Sequence, residues 1–181
     1  MGRLSQNEAL QEIRTAWQLG RPARLEGAAL NDLNLAGVDL RGADLRGAKL
    51  HGSNLRSACL AGAWLNGANL QKVNLDGAVL VYAKLNASVL GDANLTRADL
   101  SHADLREAYM VGATMTGANL SHAKLQNASL YGADLTGADL TGAEWDENTT
   151  WPDDFSPPEL VANRRVAPRR KMSRSKSSKR K

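Results

Sequence analysis

Between residues 23 and 145 a leucine or its stand-in recurs every fifth residue, twenty-five times, with no insertion or deletion. Leu25, Leu30, Leu35 and Leu40 open the series, Met110 and Met115 substitute late in it, and Trp145 closes it. Two residues before each sits a small residue, nearly always alanine, so the unit reads Ala-(Asp/Asn)-Leu-x-Gly, as in Ala43-Asp44-Leu45-Arg46-Gly47. A period of five excludes both simple elements. On an α-helix five residues advance about 500°, which scatters the leucines over every side. On a straight strand an odd period sends alternate leucines to opposite faces. What remains is a chain that turns the same way once per pentad, directing every leucine to a common axis. Stacked coils then bury what one coil cannot.

Residue types recur in columns of twenty. Asn occupies 34, 54, 74 and 94, Thr occupies 96, 116 and 136, and Ser101-His102-Ala103 returns as Ser121-His122-Ala123. Four pentads per coil are therefore expected, giving about six coils and a rod on the order of 30 Å long at strand-layer spacing. The tandem Ala-(Asp/Asn)-Leu-x-Gly units resemble the pentapeptide-repeat family. That resemblance implies an all-β solenoid, a right-handed quadrilateral β-helix. It also implies a protein that binds other proteins and performs no chemistry. Some members resemble duplex DNA in size and charge and occupy the DNA site of type II topoisomerases, so a DNA-mimic modulator of gyrase is the alternative reading.

The chain divides into four expected parts: an N-terminal capping helix (1–22), the repeat (23–145), an aromatic cap (146–162) and a disordered basic tail (163–181). In the first, Ser5 and Glu8 form a capping box and Leu10, Ile13 and Trp17 recur at helical spacing before Gly20 and Pro22. Ile13 and Trp17 are expected to cover the open end of the first coil; an exposed Trp17 would instead point to a docking helix. In the third, Trp145, Trp151 and Phe155 are expected to close the other end after the register is lost at Trp145. In the fourth, Arg164, Arg165, Arg169, Arg170, Lys171, Arg174, Lys176, Lys179, Arg180 and Lys181 form a candidate anion-binding segment for nucleic acid, an anionic membrane surface or an acidic protein.

Within the repeat, glycine at the corner supports a tight turn. From Tyr82 to Glu107 the equivalent positions are Tyr82, Ala87, Asp92, Arg97, His102 and Glu107, so a different turn type is expected there. The Asn column reads as a structural amide ladder. Leu33, Val38 and Val73 replace the inward alanine and require local adjustment. Outward positions become apolar in the same stretch, and Val79, Val81, Tyr82, Val89, Tyr109, Val111 and Tyr131 form the candidate protein-contact patch, for a partner protein or a homodimer.

The net charge of +4 conceals a division, because residues 156–181 carry ten Lys or Arg against one acidic residue while the rest of the chain is mildly acidic. Cys59 is alone, so no internal disulfide forms. No run of apolar residues spans a bilayer and no apolar signal core is present, so a cytoplasmic, non-transmembrane protein is expected. His102 and His122 stack near Tyr82, Asp99 and Asp104, but parallel side chains about 5 Å apart do not converge on a metal. No nucleophile, base and oxyanion donor surround a pocket, and every glycine between residues 23 and 145 belongs to a pentad, so neither catalytic residue, metal nor cofactor site is expected and the protein is read as non-enzymatic.

Overall fold

The structure, a computed structural model, describes residues 4–157. Its repeat is laid out as isolated parallel bridges, each joining residues twenty apart: Arg24, Asp44, Trp64, Lys84, Asp104, Lys124 and Glu144 form one column. Three further columns run through Asn69–Val89–Tyr109–Ser129, Asn34–Asn54–Asn74–Asn94 and Cys59–Val79–Asp99–Asn119. Each coil thus has four sides, and a side is a single bridging residue between turns rather than an extended strand. Taken in chain order, the Tyr109 column and the Val79 column are two sides apart and lie on opposite faces.

Backbone hydrogen bonds explain the repeat letter by letter, because each of its five N–H groups needs a partner. In one pentad, Leu45 N–H donates to Trp64 O (2.8 Å) and Gly47 N–H to Asn66 O (3.0 Å), both on the following coil. Lys49 N–H donates to Ala28 O on the preceding coil (2.9 Å), and Ala48 N–H closes the turn onto Leu45 O (3.0 Å). The fifth, Arg46 N–H, would be left over, and the Asp44 carboxylate accepts it at 3.3 Å. The same side-chain bond runs from Asn34, Asp39, Asn54, Asn69, Asn74, Asn94, Asp99, Asp104, Asn119, Asp134 and Asp139 to the residue two ahead. Asp or Asn before the leucine is therefore an Asx turn that completes the corner.

The corner itself is uniform. The second residue after each leucine has φ between 54° and 69° whether it is glycine or not, including Tyr82 (59°), Ala87 (55°), Arg97 (54°) and Glu107 (61°). Positive φ at that residue alone, with a hydrogen bond across the turn, is the type II pattern. The separate turn type expected for residues 82–107 is thus absent: the stacked hydrogen bonds impose one conformation, and side chains there adopt the left-handed region against their preference.

Leucine and the inward small residue fill the core, with Leu25 through Leu130 and their alanines essentially without solvent contact. Val73 is accommodated with no exposure, whereas Leu33 and Val38 near the start stay partly buried. Ser53 and Ser88 also point inward, and each hydroxyl donates to a leucine carbonyl, Leu30 O and Leu85 O respectively. The amide ladder is partial: Asn54 donates to Asn34 (3.1 Å) and Asn94 to Asn74 (3.3 Å), with no such bond between Asn74 and Asn54.

Helix α1 spans Gln6–Gln18, with Ser5 and Glu8 forming the capping box. Ala9, Ile13 and Ala16 are its buried residues. Trp17 lies about 70° round the helix from the centre of that face and is 73% exposed, so it does not cover the first coil. At the other end the register shifts rather than disappears. Ser129 bridges Thr150, one residue beyond the usual spacing, and Thr149 is buried with its hydroxyl donating to Leu125 O (2.9 Å). Trp145 meets Trp151 edge-on at 5.8 Å, Trp151 stacks on Phe155 at 5.4 Å, and all three pack against the core. The basic segment 163–181, with every residue of the candidate anion-binding set, lies outside the described residues.

Candidate contact surfaces

Two apolar groups stand on opposite faces of the rod. On one, Val89 and Tyr109 are bridged neighbours, 37% and 49% exposed. The Tyr109 ring lies along the corner of Gly91, where a Cβ would meet its Cε1 at 3.5 Å. Val111 and Tyr131 occupy the next two positions of that corner column, Val111 half-buried and Tyr131 56% exposed. The Tyr109 ring thus reaches the corner that Val111 continues, at ordinary van der Waals distance from Gly91. On the opposite side Val79 and Tyr82 are exposed and Val81 is half-buried between them.

Tyr82 begins a column of rings. His102 stacks on it at 4.8 Å and His122 on His102 at 4.9 Å, with interplanar angles of 16° and 7°. The column ends over Gly142, where a Cβ would lie 2.6 Å from the His122 ring. Parallel imidazoles at this spacing do not converge on one ion, and no group of three or more metal-ligating side chains occurs among the described residues.

Trp64, which the sequence reading passes over, is a further exposed aromatic. Lys84 Nζ lies 4.2 Å and Arg46 Cζ 5.4 Å from its ring, so cations cover it. The column of twenty carries the signal for it, since Asp44, Trp64, Lys84 and Asp104 stand in line. Exposed Trp17 also borders a recess of about 420 Å³ with Gly20, Arg21, Pro22, Ala23 and Arg41.

Arginine pairs with four carboxylates of the early and middle coils. Arg41 holds Asp39 (2.6 Å), Arg46 holds Asp44 (2.6 Å), Arg106 holds Asp104 (2.7 Å), and Asp76 lies between Arg56 (3.2 Å) and Arg97 (2.7 Å). Each guanidinium donates to its carboxylate and holds it below the ordinary carboxylate range. Beyond Lys124 the balance ends: residues 125–157 contain seven carboxylates and no Lys or Arg. Asp146 is committed to the fold, accepting from the backbone of Asn127, Asn148 and Thr149. Asp134 accepts from Thr136 and Thr116, and these bonds, Thr136 first, hold its carboxyl below the ordinary carboxylate range.

A four-sided solenoid with two outward apolar groups, and with no convergent catalytic set among the described residues, defines a repeat protein whose chemistry is on its outer faces. The family model for pentapeptide repeats matches eight copies, over residues 23–60, 57–92, 81–117, 93–130 and 115–144. The chain belongs to the pentapeptide-repeat family.

Among solved structures the chain is similar to HetL, a pentapeptide-repeat protein involved in regulation of heterocyst differentiation in the cyanobacterium Nostoc sp. strain PCC 7120. It is 30% identical to HetL over 74% of this chain and 80% of that one, with a TM-score of 0.42. It is also similar to Rfr23 of the cyanobacterium Cyanothece 51142, at 28% identity over 79% and 99% with a TM-score of 0.36. A thylakoid-lumen pentapeptide-repeat protein of Arabidopsis thaliana is 29% identical over 66% and 72%, with a TM-score of 0.27. No curated protein matches the sequence. No helix among the described residues is long and apolar enough to cross a membrane.

Proposed function

We propose that this protein is a non-enzymatic binding scaffold, residing in the cytoplasm, whose rod presents an outer face to a partner protein while its basic segment attracts an anionic surface. The observation that carries this reading is the Val89–Tyr109–Val111–Tyr131 group. It places two half-exposed phenol rings and two valines contiguously on a rod whose outward positions are mostly polar. Tyrosines in such a setting offer large contact area at small entropic cost and a hydroxyl at the rim. The Val79–Val81–Tyr82 group on the opposite face offers a second, smaller contact, so one rod can join two partners or two copies of itself.

The DNA-mimic alternative asks for a continuous acidic surface. Here arginines neutralise Asp39, Asp44, Asp76 and Asp104 along the early and middle coils and interrupt the acidic columns, which ranks that reading second. The test is capture by the full chain beside two surface variants, Tyr109→Ser/Tyr131→Ser and Val79→Ser/Tyr82→Ser. All four positions are solvent-exposed, so the rod should fold in both. Proteins held by the wild type and released by one variant are the expected result. The same retained set on all three baits would sink the scaffold reading.

A further inference from the structure

The Tyr109–Tyr131 face has an acidic surround. Asp92 follows Gly91 at its lower corner, Glu107 precedes Tyr109, and Asp134 stands on the side next to Tyr131. Glu147, Asp153 and Asp154 flank Thr150 and Trp151, which continue the face toward the chain's exit at Pro157. All six are exposed, and none has an ion-pair partner among the described residues. Nearby Arg106 is already engaged with Asp104 (2.7 Å).

The counter-charge exists in the same chain. Residues 164–181 contain ten Lys or Arg and no acidic residue, and they begin seven residues past Pro157. We propose that the Tyr109–Tyr131 face is the docking surface for this chain's own basic segment, residues 164–181, whose guanidinium and ammonium groups lie on the two tyrosine rings and pair with the carboxylates around them.

Reach is ample. The 24 residues beyond Pro157 can extend about 80 Å at roughly 3.3 Å each, whereas Trp151 to Val89 is three coils, about 15 Å. Tethering by so short a connection gives an effective concentration in the millimolar range, on the order of that needed for contacts that are individually weak. Arginine and lysine on exposed tyrosine rings add cation–π attraction to the ion pairs, and docking relieves repulsion among ten like charges held close together. The opposite face also carries Asp99 and Asp139 without an ion-pair partner among the described residues, but there the Tyr82 ring is already stacked on His102 at 4.8 Å, whereas Tyr109 and Tyr131 leave their rings open to a cation. The inference rests on reading the Tyr109 face as a contact surface and gives that surface a resting occupant, which a partner protein must displace.

The test uses the full chain with Cys59→Ser and Ser175→Cys carrying a nitroxide spin label, observed by amide NMR without any partner. Docking predicts loss of the Tyr109, Val111 and Tyr131 amide signals, recovered when the label is reduced. Asp99 and Asn119, at similar height on the opposite face, should keep theirs. The loss should disappear on raising salt from about 0.05 M to about 1 M, where screening contracts to a few ångströms. It should also weaken in the chain bearing Tyr109→Ser/Tyr131→Ser. Equal loss on both faces, or loss unchanged by salt and by the tyrosine substitutions, overturns the proposal. Loss seen only when spin-labelled chains are mixed with unlabelled, isotope-enriched ones assigns the face to a second copy and also overturns it. Because no partner is present, a negative result strikes the docking alone and leaves the scaffold reading to the capture experiment.

Discussion

The uniform left-handed corner can be tested by exchanging glycine and alanine in opposite directions at two equivalent sites. Gly47 has φ of 61° and a Cβ added there would meet nothing within 4 Å, so Gly47→Ala introduces backbone strain without a clash. Ala87 occupies the same corner column two coils on, exposed, with φ of 55°. An L-residue in this region costs about 1–2 kcal/mol, and replacing glycine by alanine recovers about 0.4–1 kcal/mol through the unfolded chain. The net is about 1 kcal/mol: Gly47→Ala should destabilise by that amount and Ala87→Gly should stabilise by it. For a chain of this size the expected displacement is about 2–4 °C in Tm, in opposite directions. Thermal unfolding followed by far-UV circular dichroism, with urea midpoints as a second measure, checks both. Were Ala87→Gly to lower the midpoint, or Gly47→Ala to leave it unchanged, the claim that stacking forces one turn on every side would be wrong.

Other outcomes follow from the core and the ion pairs. Leu75→Ala removes a leucine with no solvent exposure from the middle of the stack and should cost about 2–5 kcal/mol, read as a lower urea midpoint. Asp39, Asp44, Asp76 and Asp104 are all lowered by their arginine partners. A depressed carboxylate contributes stability that is fully present above its unfolded value, near pH 4, and is lost as pH falls through its folded one. The urea midpoint should therefore be flat from neutrality to about pH 5 and fall below about pH 4, with a shallower fall in Arg46→Gln and Arg106→Gln chains. A midpoint that rises on acidification contradicts the pairing.

How much of this architecture is legible in the sequence depends on whether a feature repeats. The coil of four pentads, the inward leucines and the capping box are written in position and residue type, and columns of twenty locate Tyr109 beside Val89 before any coordinates exist. The corner from Tyr82 to Glu107 is not legible, because propensity counts each residue alone. A glycine-free corner argues for another turn, yet the hydrogen bonds of the coils above and below leave the backbone no other path. Trp17 misleads for the opposite reason. Its spacing from Ile13 fits a buried helical stripe, but Ala9 and Ala16, small enough to let the helix sit close to the first coil, rotate that stripe and leave the indole outside.

The candidate surface is legible only in part, because outward positions have no period to obey. Val111 and Tyr131 share a corner by register, but that the Tyr109 ring reaches across to the Gly91 corner is a fact of three dimensions, set by its rotamer. The Asx turns sharpen the point. Asp or Asn before a leucine satisfies a corner N–H, and at Val79, Val89 and Tyr109 that side-chain acceptor has been given up. A residue that abandons a local hydrogen bond to expose an apolar ring or methyls costs the fold stability. The same acceptor is missing at Lys49, Cys59 and Trp64, so it is the combination of that loss with contiguous exposed apolar area at Val79, Val89 and Tyr109 that supports the contact role proposed for this run.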